Sequence, residues 1–409
     1  MESESTLLIL TLLVGATIVI AILIKAGLER IKIPALVGYL LLGLLMRSVD
    51  SQGLFTSTAV REVYGFLAEL GIISLLFRVG LESNLAGLLR QLPHASIILV
   101  GNILFSGALG FAATYFLLQL ALIPSLFVSV ALTATSVGIS VSVWQEAQAL
   151  TSDNGELLLD LAELDDIVAI ALMSLLLAVI PILNGDVEAN FLPMLTQTIG
   201  PFLLKVFVFG AFCLIFSRYC ERPLTQFFEA IEPAPDPMLM VAGTGFIIAA
   251  LAGLLGFSVA VGAFFAGLVF SRDPEAVKLD ASFSTLYEFF VPFFFINIGL
   301  QLEPQALTSS FGLGITLLIV AILGKIIGTS GPALVTVGWS SAVLLGLSMI
   351  PRAEIAMVIM QRGQQLGDWA VSPQVFAAMT IVSATTCIMT PLLLRPLLQQ
   401  WSQTQEASG

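Results

Sequence analysis

The chain has 409 residues, of which 57% are hydrophobic and only 11% are charged, and its mean hydropathy is +1.01. A soluble globular domain of this size does not have such a composition, so the sequence indicates a polytopic membrane protein. The net charge of −12, without any cluster of basic residues, argues against a protein that binds nucleic acid.

Apolar windows long enough to cross a lipid bilayer recur along the whole sequence. There are about thirteen, so we predict an all-α membrane protein with about thirteen transmembrane helices. The windows cover about residues 6–25, 33–49, 62–82, 94–118, 122–144, 157–182, 196–219, 237–255, 257–271, 283–301, 306–330, 334–361 and 372–398.

Basic residues in the short loops predict the orientation of the chain. With the N-terminus outside, the inner loops and tail contain nine Lys or Arg residues, against three in the outer loops. We therefore expect an outer N-terminus, a cytoplasmic C-terminus and a bacterial-type inner membrane, although the pattern does not separate a plasma membrane from an internal one.

An internal repeat relates the early and late spans. The segment VGYLLLGL at residues 37–44 matches VGAFFAGL at 261–268, and FRVGL at 77–81 matches INIGL at 296–300. Seven helix steps, an odd number, lead from the second span to the ninth, so the matching spans cross the membrane in opposite directions. This predicts an inverted-topology duplication with a site where the halves meet. The predicted parts are an extra N-terminal helix at 1–32, a first repeat at 33–182, linker helices at 183–256, a second inverted repeat at 257–398 and a loose tail at 399–409.

Two adjacent carboxylates, Asp165 and Asp166, lie just inside the sixth span. A charge at membrane depth costs about 3 kcal/mol or more, so the pair requires water, a counter-charge or a bound cation. Successive helical residues point about 100° apart, so one carboxylate can hold a basic residue and the other an ion. The alternative is a solvated helix start at the interface.

Two spans carry signs of interruption. The fifth contains Thr133, Thr135 and Ser136 among apolar residues, and hydroxyl groups can satisfy the backbone of an unwound helix. The twelfth contains Pro351, followed by charged residues. Broken helices at corresponding places indicate an ion site, whereas the alternatives are close packing through small residues and an ordinary proline kink.

Lys325 lies in an apolar stretch far from an obvious helix end. A buried ammonium group needs an acidic partner, and the candidates at similar depth are Asp165, Asp166 and Glu354. A desolvated lysine also titrates readily and can carry a proton. The alternative is a side chain that extends to the inner membrane surface.

These residues resemble the monovalent cation/proton antiporter superfamily, in the paired-aspartate branch that is similar to bacterial sodium/proton antiporters. The resemblance covers residues 33–398, and it departs from the usual Pro-Arg-Gly-Glu at Ala353. Its motifs are residues 34–39, 67–72, 133–139, Asp165 with Asp166, 261–268, Gly324 with Lys325, and 351–354.

The resemblance implies a role for each site residue. Asp166 would be the main carboxylate for ion and proton, and Asp165 would pair with Lys325. The crossover of the first broken helix would lie at Thr135 and Ser136, and Glu354 would help to hold the second, which contains Pro351 and Arg352. A homodimer is the family expectation, as is a bundle of spans four to six and eleven to thirteen that slides against the others.

We therefore expect a secondary active antiporter that exchanges protons for a monovalent cation, Na⁺ before other ions, by alternating access and with net charge movement. Exchange of K⁺ for protons, or a K⁺ efflux pathway of the same fold, is the alternative, and a cation channel is a further one. An intramembrane aspartyl protease would need its aspartates on separate helices. No enzymatic activity is expected, and no cofactor, since the three cysteines lack metal-binding spacing.

Overall fold

The computed structural model describes most of the chain and shows helices as its regular elements. The described residues are 2–31, 33–50, 53–55, 57–82, 85–150, 152–183, 191–220, 223–224, 227, 237–255, 257, 259–271, 276–302 and 304–401. Residues 402–409 of the predicted loose tail lie outside them, as do 184–190 and 228–236 of the predicted linker.

Three of the described helices continue through a π-helical turn. The first part of the chain forms α1 (Glu2–Arg30), α2 (Ala35–Val49), α3 (Thr58–Glu82), α4 (Leu85–Ala112, then a π-turn at Ala113–Leu117), α5 (Leu122–Thr133), α6 (Val137–Glu146), α7 (Asp153–Leu183) and α8 (Phe191–Ile215, then a π-turn at Phe216–Cys220). The second part forms α9 (Pro237–Leu254), α10 (Val259–Phe270), α11 (Ala276–Gln301), α12 (Pro304–Ser309), α13 (Phe311–Lys325, then a π-turn at Ile326–Ser330), α14 (Gly331–Val337), α15 (Trp339–Ser348), α16 (Glu354–Leu366) and α17 (Pro373–Gln400).

Five helical stretches in the described residues are long and apolar enough to cross a membrane, and shorter apolar helices accompany them. The five are Leu7–Arg30, Thr58–Leu81, Ser96–Leu117, Phe311–Val337 and Pro373–Gln400. The all-α, multi-pass prediction is therefore confirmed. The number of thirteen spans stays a prediction.

The chain divides into two compact units, and each predicted repeat contributes to both. The first unit contains Met1–Ile31, Gly38–Leu85 and Ser174–Gln301. The second contains Lys32–Val37, Ala86–Met173 and Leu302–Gly409.

Glycines bring helix backbones together in the first unit, in two matching pairs. A Cβ atom on Gly43 of α2 would overlap the backbone of α11 at Ile296 and Gly299. A Cβ atom on Gly80 of α3 would likewise overlap the backbone of α10, where Gly267 faces Gly80. In the sequence repeat Gly43 corresponds to Gly267 and Gly80 to Gly299, so the two contacts are equivalent, as an inverted duplication predicts. The exact boundaries of the repeats stay a prediction.

Candidate ion-exchange site

Two broken helices cross in the second unit. Helix α5 ends at Thr133, the backbone is extended at Ala134 and Ser136, and α6 begins at Val137. Helix α15 ends at Ser348, and α16 begins only at Glu354. The two interruptions touch, because the backbone N–H of Ser136 donates a hydrogen bond of 2.8 Å to the carbonyl of Pro351. Each unwound segment thus provides a hydrogen-bond partner for a backbone group of the other.

Further polar contacts fix the crossing on the α6 side. The Ser140 hydroxyl donates to the carbonyl of Ser348 at 2.6 Å, and the Trp144 indole N–H donates to the Ser348 hydroxyl at 2.9 Å. All three side chains are buried. We did not predict Trp144 or Ser348, although an indole N–H in an apolar span signals a buried acceptor nearby.

Lys325 is fully buried at the end of α13 and contacts both an aspartate and a helix end. Its Nζ donates to the carbonyl oxygen of Thr133 at 2.6 Å and lies 3.5 Å from Oδ2 of Asp165, which is 1% exposed. This position differs from that of a lysine reaching the membrane surface. The ammonium lies where the last carbonyl groups of α5 carry negative partial charge.

Arg352 has the corresponding position at the end of α15. It is 0% exposed, and its Nη1 donates to the carbonyl oxygens of Met349 and Ile350, both at 3.1 Å. Each broken helix therefore has a buried cation at the C-terminal end of its first half, where the backbone carbonyls lack helical partners.

Hydroxyl groups of α17 hold the backbone at Arg352. The Ser383 hydroxyl donates to the carbonyl of Arg352 at 2.6 Å, and the N–H of Arg352 donates to Oγ1 of Thr386 at 3.1 Å. The Cys387 thiol also faces that carbonyl, at 3.3 Å. The hydroxyl residues at i and i+3 in an apolar span were the available sequence signal.

Glu354 lies at the start of α16 and accepts a hydrogen bond of 2.5 Å from the Ser136 hydroxyl. Ser136 in turn precedes the first residue of α6. A carboxylate is thus placed at the start of one half-helix and next to the start of another, where helix dipoles favour negative charge. Glu354 joins the two crossovers rather than pairing with Lys325.

The adjacent aspartates of α7 differ in environment. Asp165 is buried and contacts Lys325, whereas Asp166 is only partly buried. The difference follows from the rotation between successive helical residues. One carboxylate is therefore enclosed by protein and the other is more accessible to an incoming ion.

Asn102 of α4 is a site residue that the sequence analysis missed. Its side chain is 0% exposed, and its Nδ2 donates a hydrogen bond of 2.7 Å to Oδ1 of Asp165. An amide within an apolar span was the available signal, since a polar group there needs a partner.

The predicted site residues thus form two neighbouring groups. Lys325 contacts both Thr133 and Asp165, and Ser136, Pro351 and Glu354 meet at the crossing of the broken helices. Thr135 is 4% exposed, and its hydroxyl oxygen has no hydrogen-bond partner among the described residues.

The described residues contain no group of three or more His, Cys, Asp or Glu that could hold a metal ion.

Known proteins resemble the chain over nearly its whole length. A family model described as "Sodium/hydrogen exchanger, transmembrane" matches residues 15–400. The high-affinity Na⁺/H⁺ antiporter NhaS3 of Synechocystis sp. is 29% identical over 373 residues, which cover 88% of this chain and 77% of the relative. The Na⁺/H⁺ antiporter of Enterococcus hirae is 29% identical over 370 residues, which cover 90% of this chain and 92% of the relative.

A solved structure shows the same fold. The sodium proton antiporter MjNhaP1 from Methanocaldococcus jannaschii aligns with a TM-score of 0.66 over 97% of this chain and 98% of that chain, at 17% sequence identity. The family match over residues 15–400 includes the aspartate pair, Lys325 and both broken helices. The chain belongs to the transmembrane sodium/hydrogen exchanger family.

Proposed function

We propose that the protein exchanges protons for a monovalent cation, with Na⁺ as the expected ion, across a membrane. The observation that carries the proposal is the buried ammonium of Lys325 beside the carboxylate of Asp165. Asp165 lies on the same helix as Asp166. The names of the relatives from Synechocystis and Enterococcus hirae also support it.

Competition couples the two ions. A carboxylate in a small cavity binds either a proton or a partly dehydrated cation, because a proton removes the negative charge that attracts the cation. Lower pH then weakens cation binding, and a cation gradient drives protons the other way. Alternating access of one such site to the two sides of the membrane makes an exchanger.

Each site residue has a role in this scheme. Asp166, the more accessible carboxylate, binds the cation or a proton. When the cation binds, the contact between Asp165 and Lys325 opens and Lys325 gives up its proton. The Thr135 hydroxyl oxygen offers a neutral ligand to the dehydrated cation. Two protons then move against one cation, and the exchange carries net charge.

Several features of the protein's setting belong to the same proposal. We expect a homodimer in a bacterial-type inner membrane, with the N-terminus outside and the C-terminus cytoplasmic. The protein acts as a transporter without enzymatic activity. K⁺ in place of Na⁺ is the alternative within the same fold, since carboxylate and hydroxyl oxygens bind either ion.

Transport by the purified protein in liposomes tests the proposal. A pH-sensitive dye inside the vesicles should respond when Na⁺, Li⁺ or K⁺ is added outside, and the response identifies the ion. Asp166→Asn should abolish the signal, while Asp153→Asn, an exposed position on the same helix, should keep it within about twofold of wild type. Proton-coupled exchange by Asp166→Asn, or an ohmic current without saturation, would contradict the proposal.

A further inference from the structure

Asp165 has a second buried partner besides Lys325, and it is the closer one. Asn102 Nδ2 lies 2.7 Å from Oδ1 of Asp165, whereas Lys325 Nζ lies 3.5 Å from Oδ2. The first distance is that of a strong hydrogen bond, and the second is at the long limit. In this state the firmest contact of Asp165 is with a neutral amide.

The chemistry of the two groups fixes the direction of the bond. An ionised carboxylate only accepts hydrogen bonds, so the NH₂ end of the Asn102 side chain must face Asp165. The carbonyl end, Oδ1, is buried and has no hydrogen-bond partner among the described residues. The side chain of Asn102 is therefore bound through its NH₂ group to Asp165.

The helix that carries Asn102 is held close to the helix that carries Lys325. A Cβ atom on Gly328, in the π-turn after Lys325, would lie 3.0 Å from Cα of Asn102. A Cβ atom on Gly101 would lie 2.7 Å from the carbonyl oxygen of Gly328. Because the backbones touch, the backbone of Asn102 is held in place relative to the helix that carries Lys325.

We infer that Asn102 is a positioning residue that keeps Asp165 oriented during cation binding. This inference rests on the proposed function. Lys325 must leave Asp165 when the cation binds, and a buried carboxylate without any donor is costly. An amide cannot give up a proton under these conditions, so its hydrogen bond persists when the lysine contact opens. The cation then meets a carboxylate that is already aligned.

Asn102→Leu, which has similar volume and no donor, tests the inference in proteoliposomes with Na⁺ as the probe. The apparent KM for Na⁺ should rise about tenfold, because a hydrogen bond to a charged group is typically worth a change of that size. The maximal rate should stay within about twofold. Asn102→Ser, which keeps a smaller donor, should give an intermediate KM.

Ser106→Ala is the matched control. Ser106 lies one turn further along α4, is 2% exposed and faces Gly324, the residue before Lys325. Its KM for Na⁺ should remain within about twofold of wild type, because the lost hydroxyl does not contact Asp165. A purely structural role of Asn102 would instead lower the recovery of folded Asn102→Leu protein and leave its KM unchanged.

The outcomes separate the inference from the proposed function. Absence of exchange by the wild type would refute the function itself. A wild type that exchanges Na⁺ together with an Asn102→Leu variant of unchanged KM would refute only the role of Asn102. If Asn102→Leu is not recovered folded, Asn102→Ala decides in the same way. For each variant, the Na⁺ concentration that half-maximally raises the melting temperature in detergent should shift with KM, and an unshifted midpoint would overturn the inference.

Discussion

The ammonium of Lys325 has two acceptors, the carbonyl of Thr133 at 2.6 Å and the carboxylate of Asp165 at 3.5 Å. The first acceptor explains how a lysine can loosen its contact with an aspartate and still remain buried. The second supplies the opposite charge that a buried ammonium requires. We therefore expect the stability and the proposed function of the site to depend on the same residue.

Lys325→Met should destabilise the protein by about 3–5 kcal/mol, because it leaves a buried carboxylate without its counter-charge. Adding Asp165→Asn should recover much of that loss, since the double variant buries no lone charge at this pair. Chemical denaturation in detergent measures both changes. The control is Lys25→Met, at a partly exposed pair with Glu288, which should change stability by at most about 1 kcal/mol. Equal, additive losses from the two site substitutions would contradict the coupling.

At the scale of the helices, the site is built from the ends of interrupted helices. The first halves of both broken helices end at a buried cation, Lys325 for α5 and Arg352 for α15, and Glu354 lies where the second halves begin. Lys325 is also the last residue before a π-helical turn, a distortion that often accompanies functional sites. Interrupted helices thus place main-chain dipoles, fixed charges and the aspartates close together.

The close contact between α3 and α10 at Gly80 can be tested by substitution. Gly80→Ala should destabilise the protein by about 1–3 kcal/mol, because the added Cβ would overlap the backbone of α10 at Phe264. Gly65→Ala, on the same helix, is the matched control, since a Cβ there meets no atom within 4 Å. That substitution should be neutral or stabilise by up to about 1 kcal/mol. Thermal unfolding of the two variants measures the difference, and equal melting temperatures would refute the close contact.

At the scale of the whole molecule, composition and repeated glycine motifs were sufficient to predict an all-α, multi-pass fold. The repeated motifs also mark helix contacts, because the corresponding pairs Gly43–Gly299 and Gly267–Gly80 are both places where two helix backbones touch. Asp165 and Lys325 could also be singled out from the sequence, because charged residues within apolar spans are rare. Polar residues in an apolar span must have partners, and few candidates existed.

Other parts of the site could not be predicted from the sequence. Neither Asn102 nor Ser383 has a charge, so a single amide or hydroxyl in an apolar span is compatible with many local hydrogen bonds. The partner of Glu354 was also out of reach, because Ser136 is 218 residues distant in sequence. Only the crossing of the two broken helices brings these side chains together. A contact between residues so far apart in sequence is set by the tertiary fold.

The central claim is that protons and a cation compete for the same carboxylates. The most direct test measures the apparent KM for Na⁺ of the wild-type protein in proteoliposomes at several pH values between about 6 and 9, with maximal rates recorded at each. Competition by one proton predicts a KM that rises about tenfold for each unit of falling pH in the acidic range, and more steeply for two protons, while the maximal rate at saturating Na⁺ is preserved. A KM that stays constant across this range, with only the maximal rate changing, would contradict the account.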